Sequence, residues 1–272
     1  MRELDVNELL EVAIRASLEA GRYILEIYTD PSQDFGIEKK ADNSPLTLAD
    51  KASHRCIMQY LEPLGIPMLS EEGKYIPYDI RQQWDELWVI DPLDGTKEFI
   101  KKNGEFTVNI ALVREGVPIM GVIYVPVKET LYFGYQAEKG GRAFKVIASP
   151  KTSVDEVLQK STQIPLERCA DEVFRVVASR SHMSPETYAY VEEMKRTHSQ
   201  VELISSGSSI KICLVAEGAA DAYPRYAPTM EWDTAAGDAI ARAAGKNVIN
   251  VETGCPLVYN KSDLLNPWFL VE

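Results

Sequence analysis

The sequence predicts a layered α+β / α/β fold, and three observations carry that prediction. Two segments near the N-terminus place apolar residues at helical spacing, a central stretch reads as an antiparallel meander, and strand and helix patterns alternate from about residue 149 onward. With 272 residues, the chain has material for one large domain or two smaller ones and for a sizeable core.

From Val6 to Tyr28, apolar groups recur at Val6, Leu10, Ala13, Ile14, Leu18, Ile24, Leu25 and Tyr28, which is the period of a helix. Asp5 and Glu8 are placed as a capping pair, and Pro31 lies just past the end. A second helix is expected over Leu48–Leu61, stopped by Pro63 and Gly65. Met68 and Leu69 form a short strand, and the apolar run at 87–90 forms another. Phe106–Val113, Pro118–Val125 and Thr130–Tyr135 are β-rich and joined by Arg114-Glu115-Gly116 and Pro126-Val127-Lys128-Glu129, hence the meander. Beyond residue 149, strands are expected at Arg175–Ala178, Glu202–Ile204, Asp221–Tyr223 and Trp268–Val271. Helices are expected at Pro185–Thr197, Ser208–Glu217 and Asp233–Ala244. A boundary near residue 148 separates an N-terminal α+β part (1–148) from a C-terminal α/β part (149–272), within one compact unit.

The composition narrows the function. Hydrophobic residues make up 45% and charged residues 26%, ordinary for a globular enzyme and unlike a disordered chain. A net charge of −12 argues against tracking nucleic acid or an anionic membrane surface. Cys56, Cys169, Cys213 and Cys255 are widely spaced without a C-x-x-C pair, so reduced thiols and a cytoplasmic setting are expected. No window of 18 apolar residues suggests a membrane span, although a loose peripheral association at the inner membrane stays open.

Function points first to Trp88-Val89-Ile90-Asp91-Pro92-Leu93-Asp94-Gly95-Thr96. An apolar strand runs into two carboxylates three residues apart, followed by a Gly-Thr pair able to open a helix. Carboxylates at a strand's C-terminal end face the crevice where α/β proteins bind ligands. Two so close repel unless a cation lies between them. Amides at the helix start can seat a phosphate. Metal-assisted phosphate ester chemistry uses all three features. Asp-Pro-x-Asp-Gly is also ordinary turn chemistry, so the rest of the chain has to decide.

Three other acids lie where predicted elements begin or end. Glu71 follows the 68–69 strand, Asp50 closes Thr47-Leu48-Ala49-Asp50 at a helix entrance, and Asp233 stands ahead of a small-residue helix. Each alone is a common helix cap or dipole partner. Together, Asp50, Glu71, Asp91, Asp94 and Asp233 make an all-oxygen set without His or Cys at ligand spacing, which favours Mg²⁺ over Zn²⁺. Five carboxylates can hold two or three divalent ions.

The order Ser70-Glu71-Glu72, then Asp91-Pro92-Leu93-Asp94-Gly95-Thr96, then Trp232-Asp233-Thr234-Ala235-Ala236-Gly237 resembles the inositol monophosphatase superfamily of Mg²⁺-dependent, lithium-sensitive phosphatases. The resemblance runs from the first helix to Trp268 and implies the αβαβα sandwich of the sugar-phosphatase fold. Asp94-Gly95-Thr96-Lys97-Glu98-Phe99 and Gly207-Ser208-Ser209-Ile210-Lys211 are similar to its 3′(2′),5′-bisphosphate nucleotidase branch. By motif, Glu71, Asp91 and the Leu93 carbonyl would hold one metal, and Asp91, Asp94 and Asp233 the second. Asp50 would pair with Thr96 to orient the attacking water and steady a weaker third ion. Asp50, Thr96 and Glu71 are thus the implied catalytic set. Glu71, Leu93, Asp94, Gly95, Thr96 and Asp233 would border the substrate, with backbone amides around Gly95 and Thr96 seating its phosphate.

The same resemblance places Ser208, Lys211, Arg225 and His182 at the nucleotide. Lys211 and Arg225 have plainer readings as a solvated helix face and a loop cation, and a lone His is more often a structural hydrogen-bonder. Lys97 and Glu98 either contact substrate or simply mark the branch. His54 and His198 read as surface or helix-face residues, and Trp84, Trp88 and Trp268 as packing. The implied activity is hydrolysis of adenosine 3′,5′-bisphosphate to AMP and phosphate, in sulfur assimilation, by a monomer or homodimer. An inositol or sugar phosphatase of the same superfamily is the nearest alternative. A catalytically silent phosphometabolite-binding module is another, though it need not keep a water-activating pair.

Overall fold

The computed structural model describes residues 5–31, 35–39, 45–137, 140–168, 172–179 and 183–272. Helix α1 (Val6–Tyr28) starts where Asp5 accepts the Asn7 and Glu8 amides and Glu8 reaches back to the Asp5 N–H. After the short antiparallel pair β1 (Glu38–Lys39) and β2 (Pro45–Leu46), Thr47 and Asp50 form the same reciprocal cap at the head of α2 (Leu48–Leu61). Each such cap contributes about 1 kcal/mol. A 3-10 turn over Glu62–Leu64, closed by Gly65, ends α2.

β3 (Met68–Ser70) pairs in parallel with β4 (Glu86–Asp94), with α3 (Tyr78–Arg81) between them in sequence. α4 (Thr96–Ile100) follows β4. β5 (Thr107–Arg114), β6 (Val117–Val125), β7 (Thr130–Ala137) and β8 (Gly140–Ile147) continue as an antiparallel meander. After α5 (Val154–Lys160), β9 (Thr162–Ile164) adds a seventh strand. The sheet therefore gains β8 and β9 beyond the three meander strands expected. Both carry many exposed residues and lack the apolar run that marks a buried strand.

β10 (Val173–Ser179) and β11 (Gln200–Ser206) pair in parallel around α6 (Pro185–Thr197). α7 (Ile210–Ala216), β12 (Tyr223–Arg225), α8 (Glu231–Ala243), β13 (Val248–Asn250) and β14 (Phe269–Val271) complete the chain, with β12-β14-β13 forming a third sheet. Residues alternate across the seven-stranded sheet as a pleat requires. Trp88, Ile90, Ile110 and Leu112 join the core under α1 and α2, whereas Leu87, Val89, Ala111 and Val113 join the core shared with α7 and α8. With α6 against β10 and β11, the layers run helix, sheet, helix, sheet, helix.

Several expectations need correction. The strand expected to stop before Asp91 runs on to Asp94, because β5 stays alongside and pairs Asp91 with Asn109 and Asp94 with Thr107. A register shift between those pairs accommodates Pro92, which has no N–H to donate. α8 begins at Glu231, so Asp233 lies within its first turn and not ahead of it. The strand expected at Asp221–Tyr223 is displaced to Tyr223–Arg225, and Arg225 closes it. Among the described residues, no helix is long and apolar enough to cross a membrane.

Candidate active site

Two elements converge on one acidic centre. β4 supplies Asp91 and Asp94 on either side of its register shift, and the first turn of α8 supplies Asp233. One carboxylate oxygen from each lies within 4.8 Å of the others. Asp233 is oriented by the Met230 N–H, which donates to its Oδ2 at 2.9 Å. Such crowding opposes ionisation. Burial pushes the Asp91 carboxyl well above its usual range, with Glu71, Asp94 and Asp233 adding to the effect. Burial, then Asp94, pushes Asp233 up to about 8. An all-oxygen set whose own charges repel fits a hard divalent cation and offers nothing that selects zinc.

Glu71 is delivered by β3, its N–H bonded to the Ile90 carbonyl at 3.1 Å, and its carboxyl meets that of Asp91. The Leu93 N–H donates to Asp91 Oδ1 at 3.0 Å, which fixes the carboxylate within the Asp-Pro-Leu-Asp turn of the strand. Thr96 Oγ1 donates to Asp50 Oδ1 at 3.1 Å, with the Leu93 carbonyl a longer alternative at 3.4 Å. Asp50 is almost fully buried, and its other oxygen takes the Thr47 N–H at 2.7 Å and the Thr47 hydroxyl at 2.5 Å. Burial raises the Asp50 carboxyl, while the Thr47 bonds pull it back. The helix cap and the site share one carboxylate.

Gly95 caps α4 at φ 94, and the loop from β11 to α7 lies over it. Ser209 donates its N–H to Asp94 Oδ2 at 2.7 Å, and its hydroxyl lies 2.6 Å from the same oxygen and 2.7 Å from the Asp233 carbonyl. Asn109 Nδ2 donates into that hydroxyl at 2.8 Å. Ser209 and Asn109 thus tie α7, β4, β5 and α8 together, and sequence reasoning missed both. A lone amide inside the apolar run of β5 was the available signal.

A pocket opens from Asp94 and Asp233 and is also lined by Lys97, Glu98, Lys211 and Arg225. Lys211 is no solvated helix residue: it is 6% exposed, it donates to the Ser208 carbonyl at 2.6 Å, and its ammonium lies 5.5 Å from the centre of the Tyr223 ring. Burial lowers it to about 8, against the pull of Asp94, with Arg225 lowering it further. Arg225 donates to the Pro228 carbonyl at 3.0 Å, but its Nε is buried and has no partner among the described residues. The buried Ser208 hydroxyl is in the same condition. Two buried polar atoms without a protein partner among the described residues thus belong to residues lining one pocket, where a polar ligand could pair with them. His182 lies outside the described residues. His54 is half-buried with Nδ1 3.1 Å from Ser70 Oγ, His198 stacks on Phe174, and Trp88 is buried in the sheet.

Compared with known proteins, residues 5–268 match the model of the inositol monophosphatase family. The chain belongs to the inositol monophosphatase family. Members of that family are metal-dependent phosphatases, in keeping with the acidic centre formed by Asp91, Asp94 and Asp233. Within the family, the chain is 43% identical over 267 residues to the 3′(2′),5′-bisphosphate nucleotidase CysQ of Shigella flexneri, covering 97% of this chain and 99% of that protein. The protein of the same name from Escherichia coli K12 is 42% identical over 266 residues, with the same coverage. The crystal structure of CysQ from Bacteroides thetaiotaomicron superposes with a TM-score of 0.90 at 56% identity, covering 99% of this chain and 98% of that one. An inositol monophosphatase from Thermotoga maritima shares the fold, with a TM-score of 0.71 at 21% identity over 97% of this chain and 92% of that one.

Proposed function

We propose that this chain is a 3′(2′),5′-bisphosphate nucleotidase that removes the 3′-phosphate of adenosine 3′,5′-bisphosphate, leaving AMP and phosphate, in sulfur assimilation. The observation that carries this reading is one pocket lined by two of the centre's acids, Asp94 and Asp233, and by cations that include Lys211 and Arg225. A phosphomonoester needs only the acidic centre, whereas a second phosphate on the same ribose calls for cationic partners beyond it. The bisphosphate nucleotidase relatives across the full chain support the same choice. Residues 149–272, which contribute Ser208, Lys211, Arg225 and Asp233, would complete a site whose other acids come from residues 1–148. The reading implies a cytoplasmic enzyme acting as a monomer or homodimer on a small molecule.

Glu71, Asp91 and the Leu93 carbonyl would hold one Mg²⁺, Asp91, Asp94 and Asp233 a second, and Asp50 would steady a weaker third. When bound, the ions make water a stronger nucleophile and offset charge on the departing oxygen. Thr96 donates its hydroxyl hydrogen bond to Asp50, which leaves the Thr96 oxygen free to accept from the attacking water and aim it at phosphorus. Amides at Gly95 and Thr96 hold the phosphate in line. The water oxygen bonds to phosphorus and gives up a proton, the bond to the ribose 3′-oxygen breaks, and that oxygen takes up a proton from water, so none is gained or lost overall. Lys211, Arg225 and Ser208 hold the 5′-phosphate end, so they act on binding and not on bond cleavage.

The test is phosphate release from adenosine 3′,5′-bisphosphate, inositol phosphate and fructose bisphosphate, side by side, with Mg²⁺. A kcat/KM for the nucleotide at least about tenfold above both others supports the reading. A preference for inositol phosphate would replace it, and undiminished turnover in excess chelator would remove the metal assignment.

A further inference from the structure

Glu105 has no place in the chemistry described so far. It stands just before β5, is 9% exposed, and its Oε2 accepts the Gly207 N–H at 3.0 Å. Its own N–H is held by Asn103 Oδ1 at 2.9 Å. The residue is wedged between two glycines of the pocket. A Cβ added to Gly207 would fall 2.9 Å from the Glu105 carbonyl oxygen and 3.0 Å from both Glu105 Cβ and Glu98 Cγ, so no side chain fits there. A Cβ added to Gly95 would meet the same Glu105 carbonyl at 3.2 Å and Ser208 Cβ at 3.3 Å. Between the two contacts lies Ser208 at φ 45, a left-handed conformation that non-glycine residues adopt only when their surroundings impose it.

We propose that Glu105 is a positioning residue for the substrate pocket: by fixing Gly207, it holds Ser208 in its left-handed conformation against Gly95. The loop is anchored by an acid at each end, Gly207 on Glu105 and Ser209 on Asp94. The Asp94 anchor belongs to the acidic centre, whereas the Glu105 anchor bears on the loop's approach to Gly95. Without the Glu105 acceptor, the Gly207 amide loses its partner and Ser208 is free to relax toward an ordinary backbone conformation, carrying its unpartnered hydroxyl away from the 5′-phosphate end of the pocket. The Ser208 carbonyl, which receives the Lys211 ammonium, moves with it. The inference rests on the reading of this pocket as the seat of a phosphorylated substrate, and it adds a residue that acts through the loop.

Steady-state kinetics with adenosine 3′,5′-bisphosphate and saturating Mg²⁺ test it. Glu105→Ala should raise KM about tenfold while kcat changes less than about threefold, as loss of one charge-assisted bond from the binding side predicts. Glu105→Gln keeps an oxygen acceptor for the Gly207 N–H and should return KM to within about threefold of the parent. In a Ser208→Ala background, Glu105→Ala should add clearly less than it does in the parent, because the hydroxyl is already gone and only the Ser208 carbonyl with its Lys211 contact is left to displace. Glu105→Leu preserves bulk without an acceptor and serves the same purpose if the alanine variant does not fold. The proposal is overturned if the alanine or leucine variant lowers the melting temperature and leaves KM unchanged, if glutamine is as impaired as alanine, or if the effects of Glu105→Ala and Ser208→Ala simply add. Failure of the parent protein to hydrolyse adenosine bisphosphate refutes the substrate reading instead, and the Glu105 series is then read on the ester that is hydrolysed.

Discussion

Thr96 and Asp50 share a hydrogen bond of 3.1 Å, and the proposed mechanism places the threonine on the attacking water and not on the substrate. Thr96→Ala should therefore lower kcat about a hundredfold or more with KM nearly unchanged, since the lost orientation is felt in the transition state. Initial-rate kinetics over a substrate series would show it, and a raised KM at unchanged kcat would move Thr96 to binding. Lys211 gives the opposite pattern. Its removal should raise KM for adenosine 3′,5′-bisphosphate roughly ten- to a hundredfold, equivalent to about 1.5–3 kcal/mol, while a monophosphate test ester barely responds. Because burial brings the free ammonium down to about 8, the charge is present below that pH and lost above it. KM for the bisphosphate should accordingly climb above about pH 8 in the parent enzyme and stay flatter in Lys211→Arg, whose guanidinium does not titrate there. A parallel rise in both proteins would take Lys211 out of the effect. The sequence named these residues from motif order. It could not say that Lys211 is buried, because a cation three residues after Ser208 on a helix reads equally well as solvated.

At the scale of elements, the site depends on how closely α8 lies on the meander. A Cβ added to Gly121 of β6 would fall 2.2 Å from the Ala236 carbonyl oxygen, a backbone atom with nowhere to retreat except with the whole helix. Gly121→Ala should push α8 outward, cost about 1–3 kcal/mol of stability, and carry Asp233 away from Asp91 and Asp94. A melting curve and a Mg²⁺ titration of the same variant would report both effects, and a destabilised protein with unchanged metal affinity would show that Asp233 is placed by local bonds alone. The helical bounds of α1, α2 and α6 were legible residue by residue, because caps, prolines and a 3.6-residue period mark them in the chain itself. β8 and β9 were not. β8 exists because β7 offers an edge to pair with and β9 because β8 does so in turn, and an edge supplied by another strand leaves no trace in local composition.

The fold gathers Asp91, Asp94 and Asp233 in one place, and pH and metal should act on stability through that centre. Asp233 titrates near 8 in the folded protein against an ordinary value of 3.8, with Asp91 raised as well, so between those limits the native state binds more protons than the unfolded chain. Without metal, stability should therefore fall as pH rises from about 4 toward 8. Divalent cation requires the ionised carboxylates, so it should bind more tightly as pH rises and release protons on binding near neutrality. Melting temperatures with chelator and with Mg²⁺ across pH 6 to 8, and calorimetry in buffers of different ionisation enthalpy, would check both signs. An affinity independent of pH would place the cation elsewhere. By itself, the sequence determined the acids, their order and the family they resemble, because ligand chemistry is written in residue types and motif spacing. It also determined the helices that carry their own start and stop signals. Only the tertiary structure decided that Asp91, Asp94 and Asp233 meet within 4.8 Å. It alone also decided that Ser209 and Asn109 bind them together across 100 residues of chain and that Glu105 bears on Gly207. Those contacts join segments distant in sequence, and they arise from sheet register and helix packing, which no local pattern encodes.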